Sequence, residues 1–126
     1  MGVPNLAGHA TTWTEYTSAT GATATATKAA VSGESHYITG FMATASSNDS
    51  ARDTLTLTVY DDSTAKIVAQ FEASFGGAYA PGGNPIIVDL SNPLKITHGK
   101  ACSASITGAA TGTTASVNIW GFTLDD

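Results

Sequence analysis

Apolar and polar side chains alternate one for one over much of this chain. The segment TLTLTVYD places Leu55, Leu57 and Val59 on one side and threonines on the other. A period of two is the pattern of a β-strand with one buried face. Apolar residues three or four apart, which would indicate amphipathic helices, are nearly absent from the sequence. We therefore predict an all-β protein.

The same alternation recurs in five further segments, which are separated by turn sequences rich in Gly, Pro, Asn, Asp and Ser. These predicted strands are SHYITGFMATA (Ser35–Ala45), IVAQFEASF (Ile67–Phe75), PIIVDL (Pro85–Leu90), ACSASITG (Ala101–Gly108) and ASVNIWGFTL (Ala115–Leu124). Ile67 and Phe71 are predicted to point inward. Strands that recur about every 8–12 residues between such turns are typical of an antiparallel β-sandwich or jelly roll.

The stretch GATATATKAAV, at residues 21–31, alternates threonine with alanine and contains almost nothing bulky. It could be a low-complexity linker or a β-strand, and its β-branched threonines and its period of two favour the strand. With it, the chain is predicted to form a single jelly-roll-like antiparallel β-sandwich of seven to eight strands over residues 21–126. A strand with so little to bury alone makes Thr23, Thr25 and Thr27 candidates for contact with a partner or a second subunit.

Residues 1–20 precede this predicted domain and show no clean alternation. The segment carries one charged side chain, Glu15, whereas a free tail is usually more charged. Two arrangements are open. The segment could be an extended arm on a neighbouring subunit or partner, with Trp13 and Tyr16 filling pockets, or it could fold back on its own sandwich as an edge strand. Neither a signal peptide nor an apolar run of roughly 18 residues is found, so no membrane association is expected.

The composition suggests a protein that is fixed in an assembly. Leu, Ile, Val and Phe supply 23 of the 126 residues, whereas Ala, Thr, Ser and Gly supply 66. Charged residues make up 12%, against about a quarter in an ordinary soluble protein. A core this thin gains stability from burial against another subunit, and we predict an oligomer. We favour a homotrimer, although the sequence does not distinguish a trimer from a dimer.

Charge and residue chemistry narrow the classes of function further. Five Lys and Arg residues against ten Asp and Glu residues give a net charge of −5, which disfavours nucleic-acid binding because phosphates require a basic patch. No nucleophile–base pair, cofactor motif or zinc motif is found, so we predict a non-enzymatic protein without catalytic, cofactor-binding or metal-binding residues. The three histidines (His9, His36 and His98) are far apart in the sequence, and Cys102 alternates with serines as a small core residue would.

Two groups of residues suggest binding sites, and each has a simpler interpretation. Two acidic loops that contain Asp49, Asp53, Asp61 and Asp62 could hold calcium, but their order does not match a calcium loop, and solvated turns are favoured. The aromatic residues could form a sugar-binding platform; they are Trp13, Tyr16, Tyr37, Tyr60, Tyr79 and Trp120. However, Trp120 and Phe122 share one face of the last strand, opposite a second apolar face. A subunit or partner contact is the favoured interpretation of such a two-faced strand.

Two long segments resemble a pattern found in small virion proteins of tailed bacteriophages. They are TGATATATKAAVSGESHYITGFMATAS near the start and ACSASITGAATGTTASVNIWGF near the end. The resemblance covers roughly residues 20–124 and concerns composition and strand order. It departs from the pattern at Glu34 and Ser35, where a basic residue would be expected before the histidine, and this bears on any contact made there.

The resemblance implies a β-sandwich, often trimeric, that decorates or cements the outer capsid surface by binding the major capsid protein. Such a protein would be made in the cytoplasm of the host bacterium. The alternative is an adhesion module of a tail or head fibre that binds host-surface carbohydrate. The acidic charge favours the outer shell over a position that lines packaged DNA.

Overall fold

A computed structural model describes residues 10–47, 52–62, 65–76, 85–107 and 112–125 of the chain. These residues form eight β-strands and no helix. The strands are β1 (Ala10–Thr20), β2 (Ala24–Lys28), β3 (Glu34–Ser47), β4 (Arg52–Asp61), β5 (Lys66–Gly76), β6 (Ile86–Lys95), β7 (Cys102–Thr107) and β8 (Thr113–Asp125). The prediction of an all-β protein with seven to eight strands is confirmed.

The strands form two four-stranded antiparallel sheets. Sheet A has the order β1-β8-β3-β6, and sheet B has the order β2-β7-β4-β5. Two four-stranded sheets in this order are the arrangement of a jelly roll, in which the chain passes repeatedly from one sheet to the other. The long β3–β8 pair, which begins at Glu34 opposite Asp125, forms the middle of sheet A.

The threonine–alanine stretch is a strand, and the linker interpretation is wrong. β2 pairs with β7, with Ala26 opposite Ala104. Its alanines Ala24 and Ala26 are buried and its threonines Thr25 and Thr27 are exposed. Alanine on the inner face lets this short edge strand lie close to β1 and β8 of the opposite sheet.

Residues 10–20 belong to the sandwich as its first strand. β1 pairs with β8 without interruption from Ala10, opposite Leu124, to Thr20, opposite Thr114. This is the second of the two arrangements left open by the sequence, so the sandwich includes residues that the predicted boundary at residue 20 assigned to an arm. Residues 1–9 lie outside the described part of the chain.

The core lies between the sheets and contains few large side chains. Its largest fully buried members are Phe41, Ile38, Leu55, Leu57, Ile96, Ile106, Ile119, His36, Val59, Val117 and Thr113. On β8 the odd-numbered residues from Thr113 to Thr123 are buried, while the even-numbered residues are partly exposed. β8 therefore has one face in the core and a second face on the outside of sheet A.

Irregularities in two strands change where side chains point. Thr39 has no partner in the β3–β8 register, which passes from Ile38–Gly121 to Gly40–Trp120. A second bulge is on β5 itself, where Val68 has no partner as the register passes from Val59–Ala69 to Tyr60–Ile67. As a result Ile67, predicted to point inward, is 56% exposed. Alternation alone does not reveal such a bulge, because the one extra residue reverses the direction of every side chain beyond it.

Candidate functional site

The seven predicted contact residues lie in three different places. Tyr16, Trp120 and Phe122 lie on the outside of sheet A, as their register positions on β1 and β8 require. The three threonines of the opening stretch are exposed at the β2 edge of sheet B; they are Thr23, Thr25 and Thr27. Trp13 is 8% exposed and belongs to the core. We therefore do not retain Trp13 as a contact residue.

The outer face of sheet A is the candidate site because it combines aromatic, aliphatic and hydroxyl side chains. Residues directly opposite each other in an antiparallel pair share a face, which defines the members. They are Thr12, Thr14, Tyr16, Ser18 and Thr20 of β1; Thr114, Ser116, Asn118, Trp120 and Phe122 of β8; Tyr37, Gly40, Met42, Thr44 and Ser46 of β3; and Ile87, Asp89 and Lys95 of β6. Charged side chains occur in this set only on the edge strand β6.

Trp120 lies across β3 at Gly40. A Cβ built on Gly40 would overlap the indole ring atoms of Trp120, so the absence of a side chain at residue 40 gives the indole its place on the sheet. The bulge at Thr39 lies immediately before this position, and the Thr39 hydroxyl donates a hydrogen bond to the carbonyl oxygen of Trp120 at 3.4 Å. Backbone geometry therefore fixes where this indole lies on the outer face.

Tyr37 and Phe122 form a stacked pair next to Trp120. Their ring centroids are 5.0 Å apart and their planes differ by 11°. The ammonium group of Lys95 lies 5.9 Å from the centroid of the Tyr37 ring, within the range of a cation–π interaction. Strands β6, β3 and β8 thus contribute a row of one cation and two rings across the sheet.

An open groove runs beside these rings. Its lining on the outer face consists of Thr12 and Thr14 from β1, Thr39 from the bulge, and Trp120 and Phe122 from β8. The groove therefore combines two aromatic side chains with three hydroxyl groups and no charge. Such a lining can bind an uncharged, partly apolar surface, or it can bind a sugar ring through stacking and hydroxyl hydrogen bonds.

Tyr16 and Ile87 extend the apolar part of the face towards both edges of sheet A. Tyr16 is 60% exposed and Ile87 is 59% exposed. The Tyr16 hydroxyl lies 3.4 Å from the Ser116 hydroxyl, and the hydroxyl groups of Ser116 and Ser18 hold the pKa of Tyr16 below its ordinary value of 10.0. Exposed large apolar side chains that form a continuous surface indicate an interaction site more strongly than isolated ones do.

Trp13 and His36 are structural neighbours inside the sandwich. Their rings meet edge to face at 5.8 Å. The His36 Nε2–H donates to the carbonyl oxygen of Ala29 at 2.7 Å, and Nδ1 lies 2.7 Å from the Thr123 hydroxyl. Both ring nitrogens of His36 therefore have hydrogen-bond partners within the sandwich, near the start of β3 and the end of β8.

Asp61 is also structural. Its carboxylate is buried and accepts hydrogen bonds from the backbone N–H of Thr97, at 3.1 and 3.2 Å, and from the Thr97 hydroxyl, at 2.7 Å. Asp62 is exposed, while Asp49 and the side chain of Asp53 lie outside what the structure describes. In the described ranges no three His, Cys, Asp or Glu residues are grouped closely enough to hold a metal ion.

Cys102 lies in the core, as its alternation predicted. Burial, together with the nearby carboxylate of Asp61, raises the pKa of the Cys102 thiol to about 12. The reactive form of cysteine is the thiolate, so a buried thiol with this pKa is inert near neutral pH.

Several residues of the outer face were not singled out by the sequence analysis. Met42, Ile87 and Thr39 were missed, and Tyr37 was considered only as one of many aromatic residues. The two-residue alternation contained a signal for Met42, which lies between the inward Phe41 and Ala43. No local signal indicates that Met42, Tyr37 and Ile87 share a surface with Trp120, because that depends on the pairing of β3 with β6 and β8.

Models of known protein families do not match this chain, and neither does any curated protein. Within the part of the chain that the structure describes, no helix is long and apolar enough to cross a membrane.

Proposed function

We propose that this chain is a non-enzymatic structural protein of a tailed-bacteriophage virion, of the capsid decoration type. It binds the major capsid protein on the outer surface of the virion through the outer face of sheet A. The proposal combines the sequence resemblance with the nature of this face. The outward side of β8, with Trp120 and Phe122 partly exposed at the centre of the sheet, is the observation that carries it.

The outer face of a sandwich in contact with water alone is expected to be polar and charged. Here the central strands β8 and β3 present Trp120, Phe122, Tyr37 and Met42, and none of their outward residues is charged. Interface cores are enriched in aromatic residues and methionine and depleted of charge. This difference between expectation and composition supports a protein partner for the face.

The surrounding hydroxyl groups support a flat and extensive contact. Thr44, Ser46, Ser116 and Thr114 continue the outer face away from the aromatic rings. Threonine and serine hydroxyls can donate and accept hydrogen bonds, and they lose little side-chain entropy when a partner covers them. An acidic chain with only five Lys and Arg residues would contact a capsid shell through such neutral groups.

A second candidate function is adhesion to host-surface carbohydrate by a tail or head fibre. The observation that favours it is the groove, where the hydroxyls of Thr12, Thr14 and Thr39 lie beside Trp120 and Phe122. The two functions require the same face to be accessible in the free protein. They differ in the partner, so one set of variants tests both.

The test is co-sedimentation of the purified chain with empty capsids assembled from the major capsid protein of the same genome, in parallel with a glycan array. We expect saturable capsid binding and no glycan binding. Trp120→Ala should weaken capsid binding at least tenfold, because truncated aromatic residues at interface centres commonly cost 2 kcal/mol or more, or about thirtyfold. Ile67→Ala is the matched control, since Ile67 is an exposed apolar residue of sheet B, and it should bind as the wild type does.

A second variant distinguishes loss of the binding face from loss of folding. Asn118→Arg adds a charge beside Trp120 at a partly exposed position and should also abolish capsid binding while the circular dichroism spectrum is retained. Glycan binding that depends on Trp120, without capsid binding, would establish the adhesion function instead. Capsid binding that survives both variants would show that the outer face of sheet A is not the contact.

A further inference from the structure

The four edge strands of the sandwich differ in how they are protected against pairing with another chain. β2 is only five residues long. β6 contains Pro93 and an irregular register against β3. β5 carries Lys66 and Glu72 and has a bulge of its own at Val68. Shortness, proline, charge and bulges are the features by which edge strands avoid association.

β1 has none of these blocking features along its outer edge, with which no described strand pairs. It is 11 residues long, contains no proline or lysine, and keeps one register with β8 from end to end. Its single charge, Glu15, is on the inward side, opposite Ile119. Its threonines are β-branched residues that favour extended pairing.

The hydrogen-bonding groups of β1 that face away from β8 belong to its even-numbered residues. Immediately after β1, Gly21 N–H donates to the carbonyl oxygen of Thr113 at 2.8 Å, which continues the ladder to β8. Residues of an antiparallel strand alternate between bonding to one side and to the other. The N–H and C=O groups of Thr12, Thr14 and Tyr16 are therefore directed to the open edge.

We propose that β1 pairs with β1 of a second copy of this chain, antiparallel and across a two-fold axis. Sheet A of one copy then continues into sheet A of the other, in the order β6-β3-β8-β1-β1-β8-β3-β6. The pair is isologous, as in most homodimers. It differs from the homotrimer that the resemblance implies, and it corresponds to the dimer that the sequence left open.

Charge and side-chain exposure indicate which residue of β1 lies at the two-fold axis. For both sandwiches to lie on the same side of the joined sheet, an odd-numbered residue must face an odd-numbered one. The register with the longest overlap would place Glu15 directly opposite Glu15 of the partner subunit, and like charges in that position destabilise a pair. A shift that places Tyr16 opposite Tyr16 of the partner subunit avoids this repulsion and covers the most exposed large apolar side chain of β1.

In this register Thr14 lies opposite Ser18 of the partner subunit, and Glu15 lies opposite Thr17 of the partner subunit. Residues 12–20 of each strand take part in the pairing.

The joined sheet also doubles the area of the outer face of sheet A. From about 4.8 Å between strands and about 6.8 Å between outward residues, one copy offers about 600 Å². Stable interfaces bury about 600–1,000 Å² per partner, so one copy lies at the lower limit of this range and two joined copies exceed it.

The proposal is tested by disulfide cross-linking of the full chain, independently of any capsid. Cys102 is buried and its thiol pKa is about 12, so an introduced cysteine is the reactive thiol under mild oxidation. Thr14→Cys protein mixed with Ser18→Cys protein should form a cross-linked dimer, because their Cα atoms would lie about 5.5 Å apart. Neither variant should cross-link with itself, since the like positions are separated by about four residues along the strand.

Self-cross-linking of Thr14→Cys, or equal cross-linking in every mixture, would overturn the proposed register. Light scattering of the wild type should give the mass of two chains. The mass of one chain or of three chains would overturn the two-fold pair. Tyr16→Lys should raise the dimer dissociation constant at least tenfold with the β-sheet spectrum intact, whereas the exposed sheet B variant Thr25→Lys should not. Because these readouts involve no capsid, their failure is distinct from a failure of the proposed function.

Discussion

The indole of Trp120 occupies the space beside Gly40 that any other residue would fill with its own Cβ. This relationship joins the two central strands of sheet A on their solvent side. It means that the most prominent ring of the outer face is placed by a missing side chain on the neighbouring strand. The shape of the candidate interface therefore depends on the absence of a side chain at Gly40.

Replacing Gly40 should displace Trp120 without unfolding the protein. In Gly40→Ala the new methyl group meets indole atoms, which can move towards solvent, so we expect a destabilisation of about 1 kcal/mol. The Trp120 indole should become more exposed, with a red shift in tryptophan fluorescence and weaker capsid binding. The control is Thr44→Ala on the same face of β3. Unchanged fluorescence in Gly40→Ala would contradict the packing of Trp120 on Gly40.

Replacing Gly121 should be far more damaging than replacing Gly40. A Cβ on Gly121 would overlap the backbone carbonyl of Tyr37, in the part of β3 where the bulge brings the two strands together. Backbone cannot rotate away as an indole can, so Gly121→Ala should cost about 3 kcal/mol or more, or prevent folding. Urea unfolding of the two glycine variants compares them directly. An equal loss of unfolding free energy in the two variants would show that the backbone at the bulge moves aside as readily as the indole does.

The carboxylate of Asp61 should be important for stability. It accepts from both the N–H and the hydroxyl of Thr97, and an amide in its place supplies one acceptor oxygen and loses the charge. Asp61→Asn should therefore lower the free energy of unfolding by about 1–3 kcal/mol. The adjacent Asp62→Asn is the matched control. Asp62 is exposed and adopts a positive φ of 58°, which asparagine tolerates, so its unfolding midpoint should stay within the error of the wild type.

The buried thiol of Cys102 should make the stability depend on alkaline pH. The pKa of this thiol is raised from 9.0 to about 12 in the folded protein. Its contribution to stability is complete below pH 9, where the unfolded thiol is also protonated, and is lost as the pH rises towards 12. Between pH 8 and pH 10 the wild type should lose about 1.4 kcal/mol more than Cys102→Ala does. Parallel urea titrations of the two proteins measure this, and parallel pH profiles would contradict it.

Much of the fold was predictable because it depends on local alternation. The segment around Leu55 and Leu57, and the threonine–alanine strand at Ala24 and Ala26, were assigned correctly since inward residues recur at every second position and the strands are short. The jelly-roll class followed from the number of strands and from the turn chemistry between them. The sequence did not decide whether residues 10–20 form an arm or a strand. This segment is an edge strand that pairs only with β8, so its own sequence does not need a regular alternation.

The composition of the outer face was less predictable. Trp120 and Phe122 were found because both lie on one strand, whereas Ile87 and Tyr37 join them only through the register of sheet A. Trp13 was assigned to a contact although it lies in the core, because a tryptophan in a weakly patterned segment gives no indication of which way it points. Ile67 was predicted to point inward because the bulge at Val68, the next residue, has no signature in the sequence.

The most direct test of the central claim is a cryo-electron microscopy reconstruction of capsids saturated with the purified chain. We expect additional density on the outer surface of the shell, into which the sandwich fits with sheet A towards the capsid and Trp120 within van der Waals contact of the major capsid protein. Density in which sheet B faces the shell, or in which Trp120 is open to solvent, would contradict the assignment of the binding face. Saturating conditions that leave the shell without added density would contradict the decoration function itself.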